Sequence, residues 1–143
     1  MFIYKSSQVA VMCKLRHPNV VAFYGVTRPP SPMIVSQLMH CSLFDILHKS
    51  SDVLDTEVKL RILRDIASGA NYLHTRKPPI VHRDLSSVNV LVTGDVHWLT
   101  ALTRAKKLEP LAKLNDFGLS RQVEWYMTAG CGNFYYIGEC TWP

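Results

Sequence analysis

Ile80-Val81-His82-Arg83-Asp84-Leu85-Ser86-Ser87-Val88-Asn89-Val90-Leu91-Val92 is the stretch on which the reading of this chain turns. It sets an H-R-D-L-x-x-x-N pattern just ahead of an apolar Val-Leu-Val run. Downstream, Leu114-Asn115-Asp116-Phe117-Gly118 adds a D-F-G. Either triplet alone reads as a solvated turn. Both together, in this order and with Asn89 at that offset from Asp84, read as a chemical site. The residue types say what it could do. Asp84 is a carboxylate suited to accept a proton. Asp116 and the side-chain oxygen of Asn89 are hard oxygen donors.

The surrounding chain is large enough to support such a site. Its 143 residues fit one domain, and 48% of them are apolar, enough for a core. The formal charge of +5 is a mild excess. Arg104, Lys106 and Lys107 form the one local basic cluster, and no aromatic residues interleave with it. It therefore reads as a solvated surface, and no nucleic-acid partner is expected. Cys13, Cys41, Cys131 and Cys140 show neither a C-x-x-C pair nor metal-ligand spacing, which predicts free thiols. The stretch Met1-Phe2-Ile3-Tyr4-Lys5 lacks the apolar region of a signal peptide. No run approaches the roughly 18 apolar residues of a membrane span. The expectation is a cytoplasmic chain in a reducing compartment, with no membrane partner.

Local patterns place the elements. Residues 7–15 read as a helix, with Val9, Met12 and Leu15 on one face. His17-Pro18-Asn19 ends it, because a residue before proline is biased away from the α region. Residues 20–26 and 33–39 read as antiparallel strands joined by the proline-rich turn at 28–32. Residues 43–48 suggest a short helix, followed by a polar loop. Asp55 is the expected N-cap of the longest helix, which runs to about His74. Ile62, Leu63, Ile66, Ala67, Ala70 and Leu73 give that helix a wide apolar stripe, read as core. Lys77-Pro78-Pro79 stops it, and residues 88–92 and 112–114 read as short strands bracketing the site.

Taken together, these residues resemble the protein kinase catalytic domain, in particular the tyrosine-kinase-like group of serine/threonine kinases. Leu15-Arg16-His17-Pro18-Asn19-Val20-Val21 looks like that group's junction between the αC helix and the next strand. Ile34-Val35-Ser36-Gln37-Leu38-Met39 is similar to the strand entering the hinge, and Leu73-His74 through Asp84 follows the group's long helix and catalytic loop. The resemblance implies an α+β, kinase-like two-lobed fold, present in part. Residues 7–39 would supply the end of the small lobe (the αC helix and two strands) and 40–132 the core of the large lobe. Residues 93–111 would be an insertion and 133–143 a divergent tail.

The implied activity is transfer of the ATP γ-phosphate to serine or threonine hydroxyls of a protein substrate, with Mg²⁺. Asp84, Asn89 and Asp116 would be catalytic: Asp84 resembles the base, Asn89 and Asp116 the metal ligands. Ser36 would be the gatekeeper, backbone groups near Gln37 and Met39 would meet adenine, and Leu91 would lie beneath it. Met12, Phe23, His82 and Phe117 look like the apolar stack linking the lobes, with plain core packing as the other reading. Arg83 implies an anionic partner supplied by phosphorylation, and Ser120, Tyr126 and Thr128 are the nearby hydroxyls.

The chain also departs from the family pattern. No G-x-G-x-x-G precedes the first helix, Lys5 is too close to that helix to be the strand lysine, and Gln8 stands where a helix glutamate would pair with it. The upper half of the nucleotide site is therefore expected to be missing. Ser86 replaces a lysine common in serine/threonine kinases, and Asn133 and Ile137-Gly138-Glu139 depart from the segment before the substrate platform. Residues 93–111 stand where the family has a short turn. Trp98, Leu99, Leu102 and Leu108 give them weak helical spacing, and they read as a surface excursion or as sequence foreign to the mature protein. These breaks predict weak or absent activity for the chain alone. They also keep open a second reading, a non-catalytic pseudokinase-like module that binds a partner kinase.

Overall fold

The computed structural model describes residues 6–122 except 29, 31 and 119. The fold is α+β. Its lower half is a three-stranded antiparallel sheet, β3 (Cys41–Ser42), β5 (Val90–Val92) and β6 (Ala112–Leu114), in the order β3-β5-β6. The long helix α3 (Thr56–His74) lies against β6. Above it, β1 (Phe23–Val26) and β2 (Ile34–Ser36) form a separate antiparallel pair, preceded by α1 (Ser6–Met12). A third pair, β4 (Ile80–Val81) with β7 (Arg121–Gln122), flanks the H-R-D segment.

α3 has the bounds that its sequence pattern predicts. Asp55 occupies the N-cap position in an extended conformation, but its side chain makes no capping hydrogen bond. The short helix α2 (Leu43–Lys49) is capped more fully. The Ser42 hydroxyl accepts from the Asp45 amide while the Asp45 carboxylate accepts from the Ser42 amide, a reciprocal capping box. A bond from the Lys49 ammonium, helped by those from Ser42, holds the partly exposed Asp45 carboxyl down to about 2.

Three expectations need correction. The buried stripe of α3 is Val58, Ile62, Gly69 and Leu73, with Ile66 half-buried. It is narrower than expected: Leu63 is 60% exposed and Ala67 is exposed. Successive helical residues sit about 100° apart, so Leu63 turns off the face that Ile62 buries. The upper strands are also shorter than the apolar runs that encode them. Val20 and Val21 leave the β1–β2 pair and join β6 instead, through Val21 N–H to Leu114 O at 2.9 Å and Leu114 N–H to Asn19 O at 2.9 Å.

The third correction concerns 93–111, which is no surface excursion. It folds as α4 (Val96–Arg104), capped by Asp95 Oδ1, which accepts from the Trp98 amide at 2.8 Å. Val96, Leu99, Leu102 and Thr103 are buried, and α4 packs on α3. Of the four residues that suggested a helix, Leu99 and Leu102 face the core, while Trp98 is half-exposed and Leu108 lies in solvent.

Two polar residues of α3 fasten this segment. The Arg61 guanidinium donates to the carbonyls of Lys107 at 2.6 Å and Glu109 at 3.0 Å. The Asp65 carboxylate accepts from the amides of Leu111 at 2.7 Å and Ala112 at 3.1 Å, both fully buried residues. A charged acceptor binds such amides more strongly than a neutral one. Asp65→Asn is therefore expected to lower stability by about 1–2 kcal/mol, read as a lower urea midpoint at unchanged slope. Gly69 completes the contact. A Cβ there would meet Asn19 O at 2.8 Å and the Leu114 side chain at 3.0 Å, so α3 can approach the seam this closely only with glycine.

Candidate active site

The loop after β4 is held from both sides. The His82 ring donates from Nε2 to the carbonyl of Asn115 at 2.9 Å, and the Ser120 hydroxyl donates to the carbonyl of His82 at 3.2 Å. Nδ1 is buried with no partner, so the neutral ring carries its proton on Nε2. Burial lowers the His82 pKa and keeps it neutral, opposed by the bond to Asn115 and by the charges of Asp84 and Asp116. The same ring tilts against Phe117, centroids 5.0 Å apart, which is buried in the core. Met12 is buried in that core and Phe23 packs against it.

Within this frame the candidate residues meet. Asn89 Nδ2 donates both to the Asp84 carbonyl and to Asp84 Oδ2, each at 2.9 Å. The carboxamide therefore orients the carboxylate and leaves its own side-chain oxygen for another partner. The Asn89 carbonyl accepts from the Asn115 amide at 2.8 Å, which docks the segment carrying Asp116 beside it. Asp116 is exposed, with φ +55, and its Oδ1 accepts from the Gly118 amide at 3.1 Å. Arg83 also has a positive φ, +67. Such a conformation is unusual for arginine, and here the bonds on either side of it maintain it. Ser86 is buried and its carbonyl accepts from the Asn89 amide at 3.0 Å.

A mostly apolar cleft of ≈ 880 Å³ opens between the end of β2 and the start of α2, with Val88 and Leu91, which stand on either side of Asn89 in sequence, in its wall. Ser36, Gln37, Met39 and Leu91 all line it, together with Val35 and Val88. The segment after β2 is anchored at both ends, by Gln37 N–H to Ala22 O at 2.8 Å and His40 N–H to Val92 O at 3.0 Å. Among the described residues, the backbone groups of Leu38 and Met39 between those anchors take no partner, so a flat ligand edge could use them. Cys41 also lines the cleft. Burial, then the Asp45 and Asp95 charges, push its thiol pKa up, which keeps it protonated.

Some expected participants stand elsewhere. Ser120, one of the hydroxyls named as near Arg83, is buried and bonded to the His82 carbonyl. Tyr126, Thr128, Asn133, Ile137, Gly138 and Glu139 lie outside the described residues, as do Lys5 and the side chain of Gln8. The sequence reading missed Lys113, whose ammonium donates to Gln37 Oε1 at 3.0 Å. Its signal was strand alternation: on β6, Lys113 is the register partner of Leu91.

Among the described residues no cluster of three or more His, Cys, Asp or Glu could hold a metal by itself. The donors present, one carboxylate and one carboxamide oxygen, suit a hard cation that keeps waters or takes further oxygens from a ligand.

Comparison with known proteins agrees with this geometry. The chain is 48% identical over 118 residues to the serine/threonine-protein kinase CTR1 of Arabidopsis thaliana, covering 80% of this chain and 13% of that protein. It is 42% identical over 146 residues to the serine/threonine-protein kinase TNNI3K of Mus musculus, covering 94% of this chain and 16% of that one. Both are kinases of the tyrosine-kinase-like type. The chain thus spans about a seventh of the length of each. A crystal structure of the yeast RNA Pol II CTD kinase CTDK-1 complex shares the fold, with TM-score 0.69 at 18% identity over 87% of this chain and 36% of that one. Residues 5–135 match the family described as protein tyrosine and serine/threonine kinase, and the chain belongs to that family as part of its catalytic domain.

Proposed function

We propose that this chain is the catalytic portion of a protein serine/threonine kinase, with Asp84 accepting the proton of the incoming hydroxyl. The observation that carries this reading is the Asn89 carboxamide, which binds Asp84 through its nitrogen while the Asn89 carbonyl holds the Asp116 segment. The free oxygen of that carboxamide and the exposed Asp116 carboxylate are the groups that would hold Mg²⁺. When bound, the ion offsets charge on the phosphate oxygens. The apolar cleft would take the adenine of ATP, with Leu91 as its floor and Ser36, Gln37 and Met39 along one edge. The acceptor would be a protein hydroxyl. Among the described residues no helix is long and apolar enough to cross a membrane.

The 143 residues taken alone transfer phosphate weakly or not at all. Positioned donors around the phosphates supply the largest share of such catalysis, and in a hydrolase the loss of one costs about 10²–10³ in rate. The sequence has no G-x-G-x-x-G to provide them. A phosphotransfer assay to serine/threonine peptides tests this, with Asp84→Asn as control. Wild type and variant are expected to be indistinguishable at background. Measurable transfer abolished in Asp84→Asn would show the isolated chain to be an active kinase.

The second reading, a non-catalytic interaction module, draws support from α3. Its outer face presents Leu60 and Leu63, each about 60% exposed, beside Ala67. Contiguous apolar surface of this kind favours association.

A further inference from the structure

We infer that Lys113 is a positioning residue of the cleft, tying the segment that carries Gln37 and Met39 to the sheet that carries Leu91. The inference rests on reading that cleft as the adenine site. β1–β2 and β3-β5-β6 are separate sheets, and the cleft lies along their junction. Lys113 is the middle residue of β6, with Leu91 as its register partner on β5. From there its ammonium reaches Gln37 Oε1 at 3.0 Å, a side-chain bridge from the lower sheet to the end of β2.

The surroundings argue against a chance surface contact. Lys113 is only partly exposed, and burial lowers its pKa, so its ammonium has given up part of its hydration. Among the described residues no carboxylate forms an ion pair with it, and its partner is a neutral amide. An ammonium in such a place gains most from a fixed, well-oriented acceptor. Gln37 is fixed on its other side by its own amide, which donates to Ala22. Held by both groups, its peptide cannot rotate freely, and the backbone of Leu38 and Met39, which line the cleft and take no partner among the described residues, is held in place. The bridge acts on the base end of the ligand and has no part in binding phosphates.

The test uses isothermal titration of adenosine, ADP and ATP against wild type, Lys113→Met, Lys113→Arg, Gln37→Met and the Lys113→Met/Gln37→Met pair. Lys113→Met is expected to weaken all three ligands by the same factor, about threefold to tenfold, less than the full worth of a charge-assisted bond because Lys113 acts on the ligand only through Gln37. Gln37→Met should match it, the pair should lose no more than either single change, and Lys113→Arg should restore most of the affinity. A loss that grows from adenosine to ATP would make Lys113 a counter-charge for phosphate and overturn the inference. Additive losses in the pair would overturn it as well. If wild type binds none of the three, the adenine reading fails on its own. The bridge is then decided by the unfolding midpoints of the same proteins, where additivity removes it and non-additivity retains it. Should Lys113→Met not fold, Gln37→Met and Lys113→Arg decide between these outcomes, since a working bridge requires the first to lose affinity and the second to keep it.

Discussion

Leu99→Ala lowers the stability of the chain by about 2–5 kcal/mol, the range for deleting a fully buried leucine. Leu99 is 0% exposed on α4 and belongs to the same core as Leu73, Val92 and Leu111. The lost methyl groups leave a cavity that α4 cannot close by sliding inwards. The Thr93 amide, bonded to the Leu111 carbonyl, fixes the chain ahead of that helix, and Arg61 and Asp65 fix the segment after it. Urea denaturation checks the prediction, with Leu108→Ala as control. Leu108 is 93% exposed, and its truncation should change stability by less than about 0.5 kcal/mol. Equal small effects at both positions would mean that 93–111 is dispensable to the fold.

The second large effect concerns ligand binding. Mg²⁺-ATP at a hundredfold excess over its Kd should stabilise the wild-type chain by about 2.7 kcal/mol, a midpoint shift of several degrees. Asp116→Asn is expected to abolish most of that shift while leaving the ligand-free midpoint nearly unchanged. Asparagine is the informative substitution because it tolerates positive φ, as at Asp116, and can still accept from the Gly118 amide. The charge is removed and one acceptor oxygen becomes an amide donor, while the shape of the side chain is kept. A nucleotide shift of equal size in Asp116→Asn would exclude Asp116 as a metal ligand. A cooperative wild-type transition indifferent to Mg²⁺-ATP would favour the interaction module over the kinase.

The proposed site was marked in the sequence by residue type and order, and the structure brings Asp84 and the segment that carries Asp116 onto Asn89. α3 could be bounded because its period is long and two prolines follow it. The strands could not be bounded, since alternation reveals a pleated segment but not where its partner ends. Val20 and Val21 look like β1 and pair with β6. In 93–111, exposed Trp98 and Leu108 blurred a helix that Val96, Leu99 and Leu102 encode, and Asp95 ahead of them was an overlooked N-cap. The pairings of Asp65 and Lys113 were hidden for another reason. Alternation along β6 could have set Lys113 on the face of Leu91, but the partners of Asp65 and Lys113 lie 46 and 76 residues away in sequence, and no local pattern reports a side chain paired across such a distance.

The pairing of residues 19–21 with β6 bears on how the chain is made. Asn19 reaches Ala112 across 93 residues, and the Val21 and Leu114 bonds run beside it. Contacts this remote in sequence form late, because a long loop must close before they return any free energy. During synthesis α1 and the β1–β2 hairpin therefore leave the ribosome well before the strand that supports them. Until β6 emerges, Val20 and Val21 are an uncovered apolar segment next to an unsupported hairpin, the kind of surface that chaperones bind and that aggregates when they do not.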